Sequence, residues 1–354
     1  DLSAGPRRYT LDSAGRVTAV RGPGWAEQYT YDPAGGVCSA RWTAPPPDVC
    51  GSWLEADVQG PRERSGTLVT AAGSVRYAHD KQGRVIARQR ARLPGEAAAT
   101  WTYHWDAEDR LTAVTMPDGG TWRYRYDPLG RRIAKQRLDS SGTLSQETIF
   151  SWDGAALAEE LTWRTARHGD ASPECVTWDC LPGSTVPLTQ YERAFSDGES
   201  RAAIAPRFYA VVTDQLGGPA ELVSADGAVA GIRQQTVLGG TLWHPGGAST
   251  PLRFPGQYYD CETGLHYQRQ GYYDPVTGDY LTPDPPGIIR GTYWNSGYRA
   301  SLCRATARRD DIALRFPPAI GRRAAFVGSA QGALAGPGDP AAGRSGGGPL
   351  HGGR

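Results

Sequence analysis

The chain has a single methionine, Met116, and it is internal. It has only 6 phenylalanines against 17 tyrosines and 11 tryptophans, so most of its aromatic rings carry a polar atom that needs a partner when buried. Neither sign of charge is in excess, with 38 Lys and Arg against 37 Asp and Glu. That removes any bulk electrostatic case for nucleic acid or a membrane surface. No apolar run is long enough to cross a bilayer. No secretory leader opens the sequence: Asp1-Leu2-Ser3 reads as the inside of a repeat, and the expectation is a piece from the C-terminal part of a longer protein. The six cysteines, at 38, 50, 175, 180, 261 and 303, make no C-x-x-C pair. Cys175 and Cys180 are close enough in sequence for two readings, a local disulfide or two free thiols. The six histidines lack ligand spacing, and His79 and His104 read as wall side chains of strands. There is no P-loop, no HExxH, no GxSxG and no H-x-E with a cysteine pair, so no cofactor or metal is expected.

What the chain has is a repeat. Tyr124 to Ile133 reads YRYDPLGRRI. Tyr124, Tyr126 and Ile133 favour pleated strand. Asp127-Pro128-Leu129-Gly130 between them is a tight turn: Asp bonds its own backbone, Pro presets φ, and Gly accepts φ > 0. A type I turn with a bulge then closes a hairpin. The string recurs as YTLDSAGRV at Tyr9, YTYDPAGGV at Tyr29, YAHDKQGRV at Tyr77 and YHWDAEDRL at Tyr103, with weaker copies at Phe150 and Val211. A spacing of about 20 residues marks a repeat architecture. The expected fold is all-β, with hairpin turns at Asp12–Gly15, Asp32–Gly35, Asp80–Gly83 and Asp127–Gly130. Tyr124 and Tyr126 should share one face, with Arg125 on the other. An ordinary β-sandwich or propeller is the competing architecture. The polar-tipped aromatics suit a sheet with wet inner and outer faces better than a dry sandwich.

Y-x-x-D-x-x-G-R-hydrophobic is the YD repeat, and the chain resembles the RHS/YD-repeat family. A second string strengthens the likeness. Residues 252–288, LRFPGQYYDCETGLHYQRQGYYDPVTGDYLTPDPPGI, are similar to the RHS core segment that closes the repeat region. The resemblance covers about residues 1–298. It implies repeated antiparallel hairpins spiralling into a hollow shell, here a partial shell, as in the C component of Tc toxins and in teneurins. It also implies three parts: a YD-repeat shell over 1–245, a closing segment over 246–298, and a variable tail over 299–354.

Within the first part, 44–75 is irregular, because APPPD at 44–48 breaks any strand. Residues 166–206, including RHGDASPECVTWDCLPGS, read as a long loop. Strands resume over 207–245, with Asp226-Gly227 as a turn. The tail carries nine arginines and neither Lys nor Glu, and it is rich in Gly, Ala and Pro. Residues 324–354 are expected to lack regular structure.

The resemblance implies a function. Such shells belong to bacterial polymorphic toxins, enclose a variable C-terminal effector, and serve interbacterial competition. Partners would be the preceding part of the shell, the C-terminal toxin domain, a secretion-system spike and an immunity protein, with the protein secreted or at the cell surface. A carbohydrate-binding surface adhesin is the alternative. Family shells often cut their own chain after the DPxG-hydrophobic string, which places the bond here after Ile288. The matching carboxyls are Asp260 in GQYYDCETGL and Asp284 in TPDPPGI, one serving as acid and the other as base. Both also read as plain turn residues. The sequence departs from the family at Gly271, where Arg is usual, and at Pro286. Arg269 is the candidate to supply the missing cation.

Overall fold

The computed structural model describes residues 5–43, 58–91, 98–164, 173–195, 203–244, 247–269 and 271–283. Among them there is no α-helix. The first strands are β1 (Arg8–Leu11), β2 (Val17–Gly22), β3 (Trp25–Tyr31), β4 (Val37–Trp42), β5 (Gly60–Ser65), β6 (Leu68–Ala72), β7 (Val75–His79) and β8 (Val85–Arg90). There follow β9 (Ala99–Trp105), β10 (Leu111–Thr115), β11 (Thr121–Tyr126), β12 (Arg132–Leu138), β13 (Leu144–Asp153) and β14 (Ala156–Arg164). The wall ends with β15 (Glu174–Cys180), β16 (Pro187–Phe195), β17 (Ala203–Thr213), β18 (Pro219–Ser224), β19 (Val229–Gln235) and β20 (Thr241–Trp243). Each pairs antiparallel with the next in sequence, giving one 20-stranded sheet that does not close on itself. A second sheet of four strands follows: β21 (Gln257–Asp260), β22 (Leu265–Gln268), β23 (Gly271–Asp274) and β24 (Asp279–Tyr280).

The four expected turns are all present. In each, the Gly amide bonds the Asp carbonyl at 3.0 Å, as between Gly130 and Asp127. The side chains of Asp12, Asp80 and Asp127 also accept two backbone amides each, for Asp127 those of Leu129 and Arg131 at 2.9 and 2.8 Å, and that of Asp32 accepts the Gly36 amide at 2.7 Å. The ladder slips at the residue before the Asp, at Tyr31, His79, Tyr126 and Trp152, which is the bulge.

Two side chains then stitch one repeat to its neighbours. The aromatic before the Asp reaches back to a carbonyl of the preceding repeat: Tyr31 to Val17, Trp105 to Val85, Tyr126 to Leu111 and Trp152 to Arg132, all at 2.7–2.8 Å. The turn Arg pairs with its own Asp, as Arg84 does with Asp80 at 2.7 Å. It also reaches forward to the next turn: Arg16 to the Asp32 carbonyl and Arg84 to that of Asp106, at 2.8 and 3.0 Å.

Three expectations change. Residues 174–180 and 187–195, read as loop, are β15 and β16. Trp178 and Gln190 sit directly opposite each other, both buried, and the Trp178 indole donates to Gln190 Oε1 at 2.8 Å. Proline and charge around this stretch hid a short alternating run. The inner face is also not wet where the four-stranded sheet covers it. Trp101, Tyr103, Trp122 and Tyr124 are buried there against Tyr258, Leu265, Tyr267 and Tyr272. Tyr124 and Tyr126 do share that face, and Arg125 is exposed on the other. Cys175 and Cys180 are free thiols, five positions apart on one extended strand and so on opposite faces. The stretch 44–75, expected to be irregular, is strand from Gly60 on: β5 and β6 form a hairpin and β6 pairs with β7. Residues 44–57, and 324–354 with their expected lack of regular structure, lie outside the described residues.

Candidate functional site

The four-stranded sheet presents alternate residues to the wall: Tyr258 and Asp260 from β21, Leu265 and Tyr267 from β22, Tyr272 and Asp274 from β23. Asp260 has no exposed surface. Arg132 grips it with two bonds, Nη1 to Oδ2 at 2.6 Å and Nη2 to Oδ1 at 2.9 Å. Lys135 Nζ donates to Oδ1 at 3.2 Å and to Glu262 at 3.1 Å. The Tyr124 hydroxyl donates to Glu262 Oε1 at 3.2 Å.

Arg132 is itself completely buried. Five rings surround its guanidinium, from Tyr267 at 4.3 Å to Tyr272 at 5.9 Å, with Tyr124, Phe150 and Tyr258 between. Such rings offer their negative faces to a cation, and desolvation strengthens the attraction. A relay leads away from this point. The single Tyr126 proton goes to the Leu111 carbonyl, so Tyr126 accepts from Tyr272, whose oxygen accepts from Arg132.

Burial works against the charge on Arg132, but Asp260 beside it wins and holds the guanidinium well above its ordinary value. Lys135 is raised the same way, by Glu262 and then Asp260 against burial. Burial pushes the Glu262 carboxyl up, with Lys135 opposing. It pushes Glu160 up too, against the bond at 2.6 Å from the Tyr258 hydroxyl.

A second anchor lies on β23. Asp274 is buried and accepts the Tyr77 hydroxyl at 2.9 Å and the Val276 amide at 2.8 Å. Burial raises its carboxyl, with Arg88 opposing. Arg88 donates to the Thr263 carbonyl at 2.8 Å. At the end of the sheet Arg64 pairs with Asp279 at 2.6 Å. The chain then leaves along β8, where the Val85 amide bonds the Leu281 carbonyl at 2.8 Å.

Of the two carboxyls expected to cut the chain, the structure places Asp260. Asp284 and the bond after Ile288 lie outside the described residues, so their meeting is not observed. The missing family arginine at Gly271 is not made good by Arg269, which is exposed and reaches the Leu129 carbonyl at 3.4 Å. The cations at Asp260 are Arg132 and Lys135, which sequence reasoning missed. A signal existed. The fifth and eighth residues after Asp12, Asp32 and Asp106 are buried on the inner face, and they are Val17 and Val20, Val37 and Ala40, Leu111 and Val114. After Asp127 they are Arg132 and Lys135, and after Asp80 the eighth is Arg88.

Comparison with known proteins finds matches to one repeat family and to several of its members. Residues 97–121 and 105–144 match the RHS Repeat family. Over 311 residues the chain is 33% identical to "Probable deoxyribonuclease RhsA" of Dickeya dadantii, covering 84% of this chain and 20% of that protein. Over 125 residues it is 33% identical to "Double-stranded DNA deaminase toxin A" of Burkholderia cenocepacia, covering 34% of this chain and 8% of that one. The chain thus spans about 20% of the length of its first curated relative. Among solved structures it is similar to TcdB2-TccC3 without its hypervariable C-terminal region, with TM-score 0.46 and 17% identity over 80% of this chain and 16% of that one. With its stitched YD hairpins, its closing segment and these relatives, the chain belongs to the RHS/YD-repeat family.

Proposed function

We propose that the chain is the C-terminal part of the repeat shell of a bacterial polymorphic toxin, which encloses a variable C-terminal effector and presents it in interbacterial competition. The observation that carries this reading is the seat of the closing sheet. A segment at the end of the repeats is buried against their inner face by charged and aromatic anchors. A wall built this way can hold its last segment inside while the chain runs on. The names of the relatives support it, since a probable deoxyribonuclease and a DNA deaminase toxin share this kind of sequence. The partners in this reading are the preceding shell, the toxin domain, a secretion-system spike and an immunity protein, and the place is outside the cell or on its surface.

In the same reading the chain cuts itself between Ile288 and Ile289. Water adds to the Ile288 carbonyl carbon, giving its proton to one carboxylate. The C–N bond breaks as the other carboxyl gives its proton to the Ile289 nitrogen. Asp260 suits the base. It accepts three hydrogen bonds from cations, and one acceptor direction on Oδ2 is left over. Asp284 is then the acid. Intact-mass measurement of freshly purified chain tests this. A fragment ending at Ile288 is expected, and Asp260→Asn or Asp284→Asn should leave only full-length chain. A single full-length species in the wild type removes the cleavage. Cutting that survives both substitutions removes these residues from it. For the enclosure itself, an effector expressed with its complete shell should resist added protease until the shell is unfolded, and an effector digested at once would refute it.

A further inference from the structure

A wall of near-identical repeats poses a problem of placement. The inner face repeats every two strands, roughly 9–10 Å apart. A closing sheet held by apolar packing alone would meet nearly the same surface after sliding by one hairpin, since Val, Leu and aromatic rings recur at the same positions. Weakly specified pairing surfaces are prone to slip. Something has to choose the seat.

We infer that the cations at the fifth and eighth positions of the repeats are address marks that select where the closing sheet sits, rather than residues that make it bind. At these inward positions three repeats carry only aliphatic residues: Val17 and Val20, Val37 and Ala40, Leu111 and Val114. The three cations that break the pattern each bond the closing segment. Arg132 meets Asp260, Lys135 meets Asp260 and Glu262, and Arg88 meets the Thr263 carbonyl. The acids lie on the inner side of the closing sheet in matching order. No other carboxyl of β21 or β22 faces the wall, and Asp274 on β23 faces Tyr77 from the repeat that carries Arg88.

The energetics favour a role in choice over one in strength. A buried ion pair gains little against apolar side chains of the same volume, because both charges are desolvated. Sliding by one hairpin is different. It would leave Arg132 and Asp260 each buried without its partner, and an unpaired buried charge is strongly disfavoured. The pair therefore raises the wrong seats much more than it lowers the right one. This holds whether or not the chain cuts itself.

The test uses the full chain with a photo-crosslinking phenylalanine at position 269. That residue is exposed and its native neighbour is the carbonyl of Leu129. In the otherwise wild-type chain, crosslinks should fall only within 127–131. Removing the two marks of the Asp127 repeat together with the acids they meet, with R132V, K135V, D260V and E262Q, leaves neither member of those pairs without the other and should fold. Its crosslinks should then spread to the turns at 106–109 and 80–83, with 127–131 reduced severalfold. A second variant moves the marks by one repeat: L111R and V114K with R132V and K135V. Its crosslinks should shift toward 106–109. Crosslinks confined to 127–131 in both variants would overturn the proposal. Failure of the uncharged variant to fold would also overturn it, because the pairs would then be holding the segment rather than placing it.

Discussion

At the scale of single residues, the Arg132–Asp260 pair behaves differently from the surface ion pairs around it. Arg132→Ala should lower stability by roughly 3–5 kcal/mol, since it strands a buried carboxylate. Replacing both partners, as in R132M with D260L, should cost little. Urea unfolding midpoints decide, and equal losses in the two variants would contradict this. Tyr124→Ala empties a place between Arg132 and Tyr272 and should cost roughly 3–4 kcal/mol. Glu262 gives a pH signature. Its carboxyl is raised above 4.5 by burial, so the folded chain holds that proton more tightly than the unfolded one. Its contribution is therefore fully present below pH 4.5 and is lost as pH rises through the raised value. Glu262→Gln should flatten that part of the stability profile. An unchanged slope would show that the proton sits elsewhere, with Glu160 the nearest candidate.

At the scale of the hairpin, the turn aspartates have the opposite sign. Asp12 is lowered first by the Arg16 backbone amide. In Asp80, Asp106 and Asp127 burial works the other way and is outweighed by bonds from Arg84, Arg110 and Arg131. Lowered carboxyls stabilise above their unfolded value of 3.8, and that support is lost as pH falls through the lower folded values. Acid below about pH 4 should loosen the turns while Glu262 stays protonated, which amide exchange of Gly15, Gly83 and Gly130 would reveal. Trp105→Phe leaves the Val85 carbonyl without its indole donor and should cost about 1–3 kcal/mol. The hairpins were legible because Asp, Gly and aromatics act within a few residues of one another. Strands β15 and β16 were not, because Cys175, Trp178 and Gln190 become a strand pair only beside β14 and β17. Asp260 was legible from its motif. Its cations were not, because Arg132 is 128 residues away along the chain.

At the scale of the molecule, the wall is a sheet whose two ends are bridged by side chains instead of a ladder. Arg7 donates to the Gln235 carbonyl at 2.7 Å, and the Val237 amide donates to the buried Glu27 at 2.8 Å. Strand β1 pairs with β2 alone among the described residues, so one edge of it is open. An open edge templates further pairing. The chain by itself should therefore associate as concentration rises, and Tyr9→Pro, which removes an edge donor, should reduce this. Sedimentation at a series of concentrations measures it, and equal association in both would place the contact elsewhere.

The stitches between repeats have a consequence for how the protein is made. Each aromatic reaches back about 14–20 residues, to a hairpin already synthesised. Each new hairpin can therefore lock onto the last as it emerges from the ribosome, and the wall grows in the order of translation with little loop entropy to overcome. The closing segment is the exception. Its anchors reach back 128, 197 and 214 residues, so they form only once the wall strands that carry Arg132, Tyr77 and Arg62 are in place. The seating of Asp260 then reports, late, that the repeat carrying Arg132 and Lys135 is in place. Ribosome-stalled chains ending before residue 257 should already protect Gly15 and Gly83 from exchange, while Arg132 awaits its carboxylate.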